Sequence, residues 1–146
     1  MRIGVIMLIV ALTLTTGAFS ASASSERTGT LHVTKECSQY NGNPGEFCSI
    51  TSSNLAAIKI GSKVFYDQPD GIPKGLLDSN VVLDAGGGSR AIGHCTVDDS
   101  TNLGLCTFSD GTGQFTGFNA RVLVDCTSTC RWDGSFKFMD VGHPQQ

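Results

Sequence analysis

The stretch Ala91-Ile92-Gly93-His94-Cys95-Thr96-Val97-Asp98, the turn Asp99-Ser100-Thr101-Asn102 and the return Leu103-Gly104-Leu105-Cys106-Thr107-Phe108 reads as a β-hairpin. The two arms alternate apolar and polar residues, and Asp99–Asn102 is built from residues that bond back to their own backbone in turns. A four-residue loop sets Cys95 directly opposite Cys106, within the Cβ separation that a disulfide requires. Side chains alternate across a strand, so Gly93, Cys95, Val97, Gly104, Cys106 and Phe108 share one face. His94, Thr96, Leu105 and Thr107 share the other. That mixed face fits an exterior surface and the polar part of a cavity wall alike.

The same grammar extends outward in both directions. Strand-like runs occur at Leu31–Glu36, Glu46–Thr51, Ala56–Ile60, Ser62–Asp67, Asn80–Asp84, Phe115–Asp125 and Arg131–Phe138, separated by Gly, Asn, Asp and Ser. Joining the two runs around Gly61 into one bent strand makes eight strands in all. No 3.6-residue period persists after residue 24, and strands without intervening helices predict an all-β antiparallel barrel or sandwich. On the longest run Phe118, Ala120, Val122 and Val124 form a dry face, opposite Asn119, Arg121, Leu123 and Asp125. Gln68–Gly75, with two Pro and two Gly, is the longest excursion.

The N-terminus sets the compartment. Arg2 precedes the twelve apolar-rich residues Ile3–Leu14, and small residues follow up to Ala21-Ser22-Ala23. That order predicts a secretory signal peptide over residues 1–23 and a single exported domain over 24–146. Twelve helical residues reach only about 18 Å, short of the ~30 Å hydrocarbon core, so no stable membrane insertion is expected after removal. The chain carries a net charge of −3 and no two adjacent basic residues, which argues against nucleic acid as a partner. At 146 residues and 40% hydrophobic composition it is one folded domain, excluding multi-domain enzymes and disordered chains.

Six cysteines, Cys37, Cys48, Cys95, Cys106, Cys126 and Cys130, all follow the leader. An even number in an exported chain implies disulfides, and six admit 15 connectivities. Each neighbouring pair flanks a turn: Asn41-Gly42-Asn43-Pro44-Gly45, Asp99–Asn102 and Thr127-Ser128-Thr129. The local scheme 37–48, 95–106 and 126–130 is therefore the expectation. A zinc site would need paired CxxC or HxxxH spacing, which is absent, so no metal or cofactor is expected.

Cys106-Thr107-Phe108-Ser109-Asp110-Gly111-Thr112-Gly113-Gln114-Phe115-Thr116-Gly117-Phe118 resembles a signature of the allene oxide cyclase and dirigent-like barrels: a strand, a G-T-G turn, then Phe-x-Gly opening the next strand. Ile60–Asp67 looks like the Gly-containing strand those proteins place before a long loop. Val82-Leu83-Asp84, Gly93-His94-Cys95 and Arg131–Phe136 are similar to bacterial members described only as allene-oxide-cyclase barrel-like. The resemblance covers most of residues 31–138. It implies an eight-stranded antiparallel β-barrel, here with disulfide-stapled hairpins, whose lumen holds one small apolar ligand. It also implies Gly111, Thr112 and Gly113 as a structural turn. The polar residues of neither family match this chain position by position, so no catalytic residue is carried over.

Each chemistry-bearing residue also has an ordinary structural role open to it. His94 falls in the middle of the Ala91–Val97 strand, and His32 and His143 lie near the ends; no G-x-S-x-G elbow accompanies them. Asp84 and Asp98 form a possible carboxylate pair, although Asp98 and Asp110 also fit turn caps. Arg90 and Arg121 can fix an anionic group, and Tyr66 and Trp132 can stack on a ring. Gly86-Gly87-Gly88-Ser89-Arg90 lacks the G-K-[ST] ending of a phosphate loop. The candidate ligand-binding set is thus Tyr66, Asp84, Arg90, His94, Arg121 and Trp132. Three functions follow, in order: binding of a small hydrophobic or aromatic molecule without turnover, cyclase- or dirigent-like stereocontrol, and surface recognition through loops.

Overall fold

The computed structural model describes residues 28–140, so the leader and its cleavage point, like His143, lie outside the described residues. Eight strands follow one another: β1 (Thr28–Glu36), β2 (Phe47–Ser53), β3 (Lys63–Tyr66), β4 (Leu76–Asp84), β5 (Arg90–Asp98), β6 (Leu103–Thr112), β7 (Phe118–Asp125) and β8 (Cys130–Phe138). Each pairs antiparallel with its neighbours, and β8 returns to β1, closing an up-and-down barrel. Closure leaves no sheet edge on which another chain can add. The expected all-β barrel is therefore the observed fold, and the three disulfides join Cys37 to Cys48, Cys95 to Cys106 and Cys126 to Cys130.

Alternation sorts the side chains as their spacing demands. Phe118, Ala120, Val122 and Val124 are buried, while Leu123 stands 61% exposed on the outer wall. In the β5–β6 hairpin Cys95 pairs with Cys106, and the mixed His94 face lies outside. Around the wall Val33 pairs with Trp132, which pairs with Val124, so that three neighbouring strands contribute to one interior belt. Toward the end where β1 begins and β8 finishes, Phe108, Phe115, Phe118, Phe136 and Phe138 make a chain of ring contacts with centroids 5.2–6.5 Å apart. This half of the lumen is packed with side chains.

Three local expectations are corrected. Ala56–Ile60 is not a strand. The β2–β3 connection turns there, with Ile58 N–H bonded to the Leu55 carbonyl, so that Leu55 and Ile58 fold inward onto the core. The apolar run is buried by a loop and not by a sheet. Phe115 is not in a strand either, since Gly113–Phe115 form one 3₁₀ turn and β7 starts at Phe118. Finally, Gly111 and Thr112 are the last residues of β6, paired with Ala91 and Arg90, and the turn begins only at Gly113, φ +58°. Gly111 is required for space: a Cβ there would lie 2.5 Å from Phe115 and 2.6 Å from the Arg90 carbonyl. Elsewhere β4 begins at Leu76, four residues ahead of the expected Asn80, because Leu76–Ser79 pair with Cys95–Asp98 of β5.

Candidate functional site

The barrel end away from the phenylalanines carries the β1–β2, β3–β4, β5–β6 and β7–β8 connections. A cavity of about 460 Å³ opens there into the lumen. Its walls include all three disulfides together with Leu77, Val97 and Val124. Two grooves of similar volume lie elsewhere, but they are lined largely by exposed side chains, Lys59, Ile60 and Lys63 in one and Arg121, Ser135 and Lys137 in the other.

Lys35 sits at the inner part of this cavity because of its phase in β1. Leu31, Val33 and Lys35 alternate onto the interior face, and all three are buried. The Lys35 ammonium stem is only 4% exposed, and its Nζ donates to the Tyr66 hydroxyl at 2.6 Å. It also stands 4.7 Å from the Trp132 ring centroid and 5.4 Å from that of Tyr66. Among the described residues no carboxylate forms an ion pair with it. A buried, unpaired ammonium is costly, and burial pulls the Lys35 amine from 10.5 down to about 7. Burial likewise raises the Tyr66 phenol well above its ordinary range, keeping its proton in place.

Tyr40, from the β1–β2 connection, stacks on Tyr66 with centroids 4.7 Å apart, and its buried hydroxyl has no hydrogen-bond partner among the described residues. The mouth is acidic: Glu36, Asp70 and Asp99 line it. Burial first, then the charge of Asp70 and a hydrogen bond with it, hold the Asp99 carboxyl above the usual range. An acidic mouth disfavours anionic ligands, while the inner corner offers the hydrogen-bonded amine and phenol of Lys35 and Tyr66 to an acceptor atom. The chamber therefore suits a neutral molecule that is apolar over most of its surface and carries one oxygen.

The six residues singled out from the sequence divide between interior and exterior. Tyr66 lines the chamber, and Trp132 lies fully buried behind Lys35, its indole N–H unpaired among the described residues. Asp84 and Arg90 are at the opposite end, bonded to each other at 2.9 Å. The Gly86 N–H, and then Arg90, hold Asp84 below the ordinary carboxylate range. His94 lies on the outer wall, its Nε2 2.6 Å from Asp78 and its Nδ1 3.1 Å from Asn80. Arg121 is exposed on the outer face of β7. Asp98 accepts from the Ser100 and Thr101 N–H groups and Asp110 from that of Gly111, as turn residues do.

Lys35, Tyr40, Asp70 and Asp99 were not among those six. Lys35 was legible: a lysine in phase with Leu31 and Val33 is a charged residue on a dry face. Tyr40 and Asp70 belong to connections whose path no periodicity describes, and only closure of the barrel brings them to one mouth. No family model, curated protein or solved structure matches the chain.

Proposed function

We propose that this protein is a secreted barrel, similar to the allene-oxide-cyclase barrels, that binds a small aromatic or apolar molecule in the open half of its lumen. The observation that carries the proposal is the chamber of about 460 Å³, apolar along its walls and polar at one inner corner. That volume lies in the range of small-molecule sites, and one convergent polar group in an apolar pocket is how such sites fix orientation. Three disulfides and the absence, among the described residues, of any helix long and apolar enough to span a membrane are compatible with an exported protein.

The single Trp132 is a built-in reporter, since Lys35 lies between its ring and the chamber. Titration with the neutral probe N-phenylnaphthylamine should change Trp132 emission saturably. Val97→Phe, which fills the wall of the chamber, should weaken the response. Non-saturable emission, or a response indifferent to Val97→Phe, would remove this reading. The Lys35–Tyr66 contact favours a second reading, cyclase- or dirigent-like control of a reactive molecule in the same chamber. Chiral analysis of products formed with and without the protein distinguishes it from binding alone.

A further inference from the structure

We propose that Lys35 is a nucleophilic amine that captures carbonyl compounds, aromatic aldehydes in particular, as an imine inside the chamber. The inference rests on the binding reading above and names the functional group of its ligand.

Four features support it. The amine lies inside a cavity large enough for an aryl aldehyde and makes its single hydrogen bond, among the described residues, with Tyr66. Lysine used only to hold structure ordinarily reaches solvent or a carboxylate. Here the rings of Trp132 and Tyr66 flank the Nζ, and Tyr66, Leu77, Val97 and Val124 line the chamber as surfaces against which an aryl group can pack. Burial also leaves about half of the amine unprotonated at pH 7, whereas an amine at 10.5 is about one part in 3000 free base. Tyr66 and Tyr40 retain their protons, and the acidic groups Glu36, Asp70 and Asp99 line the same chamber.

The chemistry balances without an added oxidant or reductant. The Nζ lone pair attacks the carbonyl carbon, a C–N bond forms, and the C=O π pair moves to oxygen. That oxygen takes a proton from the Tyr66 hydroxyl, and the new N–H returns one to the phenolate, giving a neutral carbinolamine. The carbinolamine hydroxyl then takes a proton from the Tyr66 hydroxyl and leaves as water as the nitrogen lone pair forms C=N, and the iminium N–H returns that proton to the phenolate, leaving the neutral imine. Aldehyde and amine thus become imine and one water.

The test treats the oxidised protein with benzaldehyde and cyanoborohydride at pH 7, followed by peptide mapping, with benzyl alcohol as the carbonyl-free isostere. The expected result is a reduced adduct on Lys35, formed ahead of Lys59, Lys63, Lys74 and Lys137 and suppressed by excess benzyl alcohol. The adduct should be lost in Lys35→Met and slowed in Tyr66→Phe, while benzyl alcohol still quenches Trp132 saturably in the wild type. Adducts confined to the other lysines or the N-terminus, with benzyl alcohol still bound, would overturn the imine and leave the binding reading standing. If neither compound occupies the chamber, both fall. The wild-type peptide map decides the matter even if a variant does not fold.

Discussion

Lys35→Met will make the protein more stable at neutral pH, although it deletes a buried hydrogen bond. Burial lowers the Lys35 amine from 10.5 to about 7, so at pH 7 the folded chain holds only about half of the proton that the unfolded chain holds in full. At 1.36 kcal/mol per pH unit, that costs on the order of 5 kcal/mol. Methionine has a similar shape and no charge, and its sulfur packs well against Trp132 and Tyr66. The variant strands the Tyr66 hydroxyl, which costs about 1–3 kcal/mol. The net gain is therefore about 2–4 kcal/mol at pH 7.

The pH dependence is the sharper signature. Between about pH 7 and 10.5 the unfolded chain carries the proton and the folded chain does not. Wild-type stability must then rise with pH, by up to about 1.36 kcal/mol per unit, and the advantage of the variant must shrink toward zero near about pH 9.5. Tyr40 and Tyr66, both raised by burial, oppose this only once the pH passes the ordinary phenol value of 10.0. Urea unfolding of both oxidised proteins from about pH 7 to about pH 9.5 measures the difference. A variant less stable than the wild type at pH 7, together with a flat wild-type profile, would refute the reasoning. It would mean that the amine is solvated or paired in the folded protein.

Trp132→Ala removes the largest fully buried side chain and should cost about 3–5 kcal/mol in urea unfolding, with a chamber enlarged behind Lys35. Gly134→Ala places a methyl group into the Arg121 carbonyl of the paired strand, and about 1–3 kcal/mol of destabilisation is expected by the same assay. Glu46 is held down at about 2, chiefly by the Asn43 side chain and then by the Asn41 and Asn43 N–H groups. Its contribution is present above about pH 4.5 and fades as the pH falls through about 2. Acid titration of stability should accordingly be shallower in Glu46→Gln than in the wild type, and identical profiles would contradict the hydrogen-bond assignment.

Legibility in the sequence followed the range of the interactions. Where a strand is long and half buried, period-two alternation is enforced by contact with the core, so Phe118–Val124 and the Cys95–Cys106 register could be read directly. Ala56–Ile60 failed because a composition suited to a strand is equally suited to a loop folded onto a core, and only the surroundings choose between them. The G-T-G turn failed by two residues because Gly111 answers to crowding by Phe115 and Arg90, which sequence spacing does not report. Of the six candidates, Tyr66 and Trp132, chosen as rings able to stack, have buried side chains and Tyr66 lines the chamber, whereas Asp84, Arg90, His94 and Arg121 face outward.

Local sequence alone determined the long half-buried strands and the three short-range disulfides, because both depend on residues a few positions apart. It also determined that Lys35 shares a face with Leu31 and Val33. Only the tertiary structure decided that the lumen is filled by phenylalanine rings at one end and open at the other. The same is true of the meeting of Lys35 with Tyr66, 31 residues away, and of the gathering of three hairpin disulfides around one chamber. The reason is physical: closing the sheet sets residues of all eight strands around one interior, and what that interior encloses depends on the sum of their volumes. No stretch of sequence contains that sum.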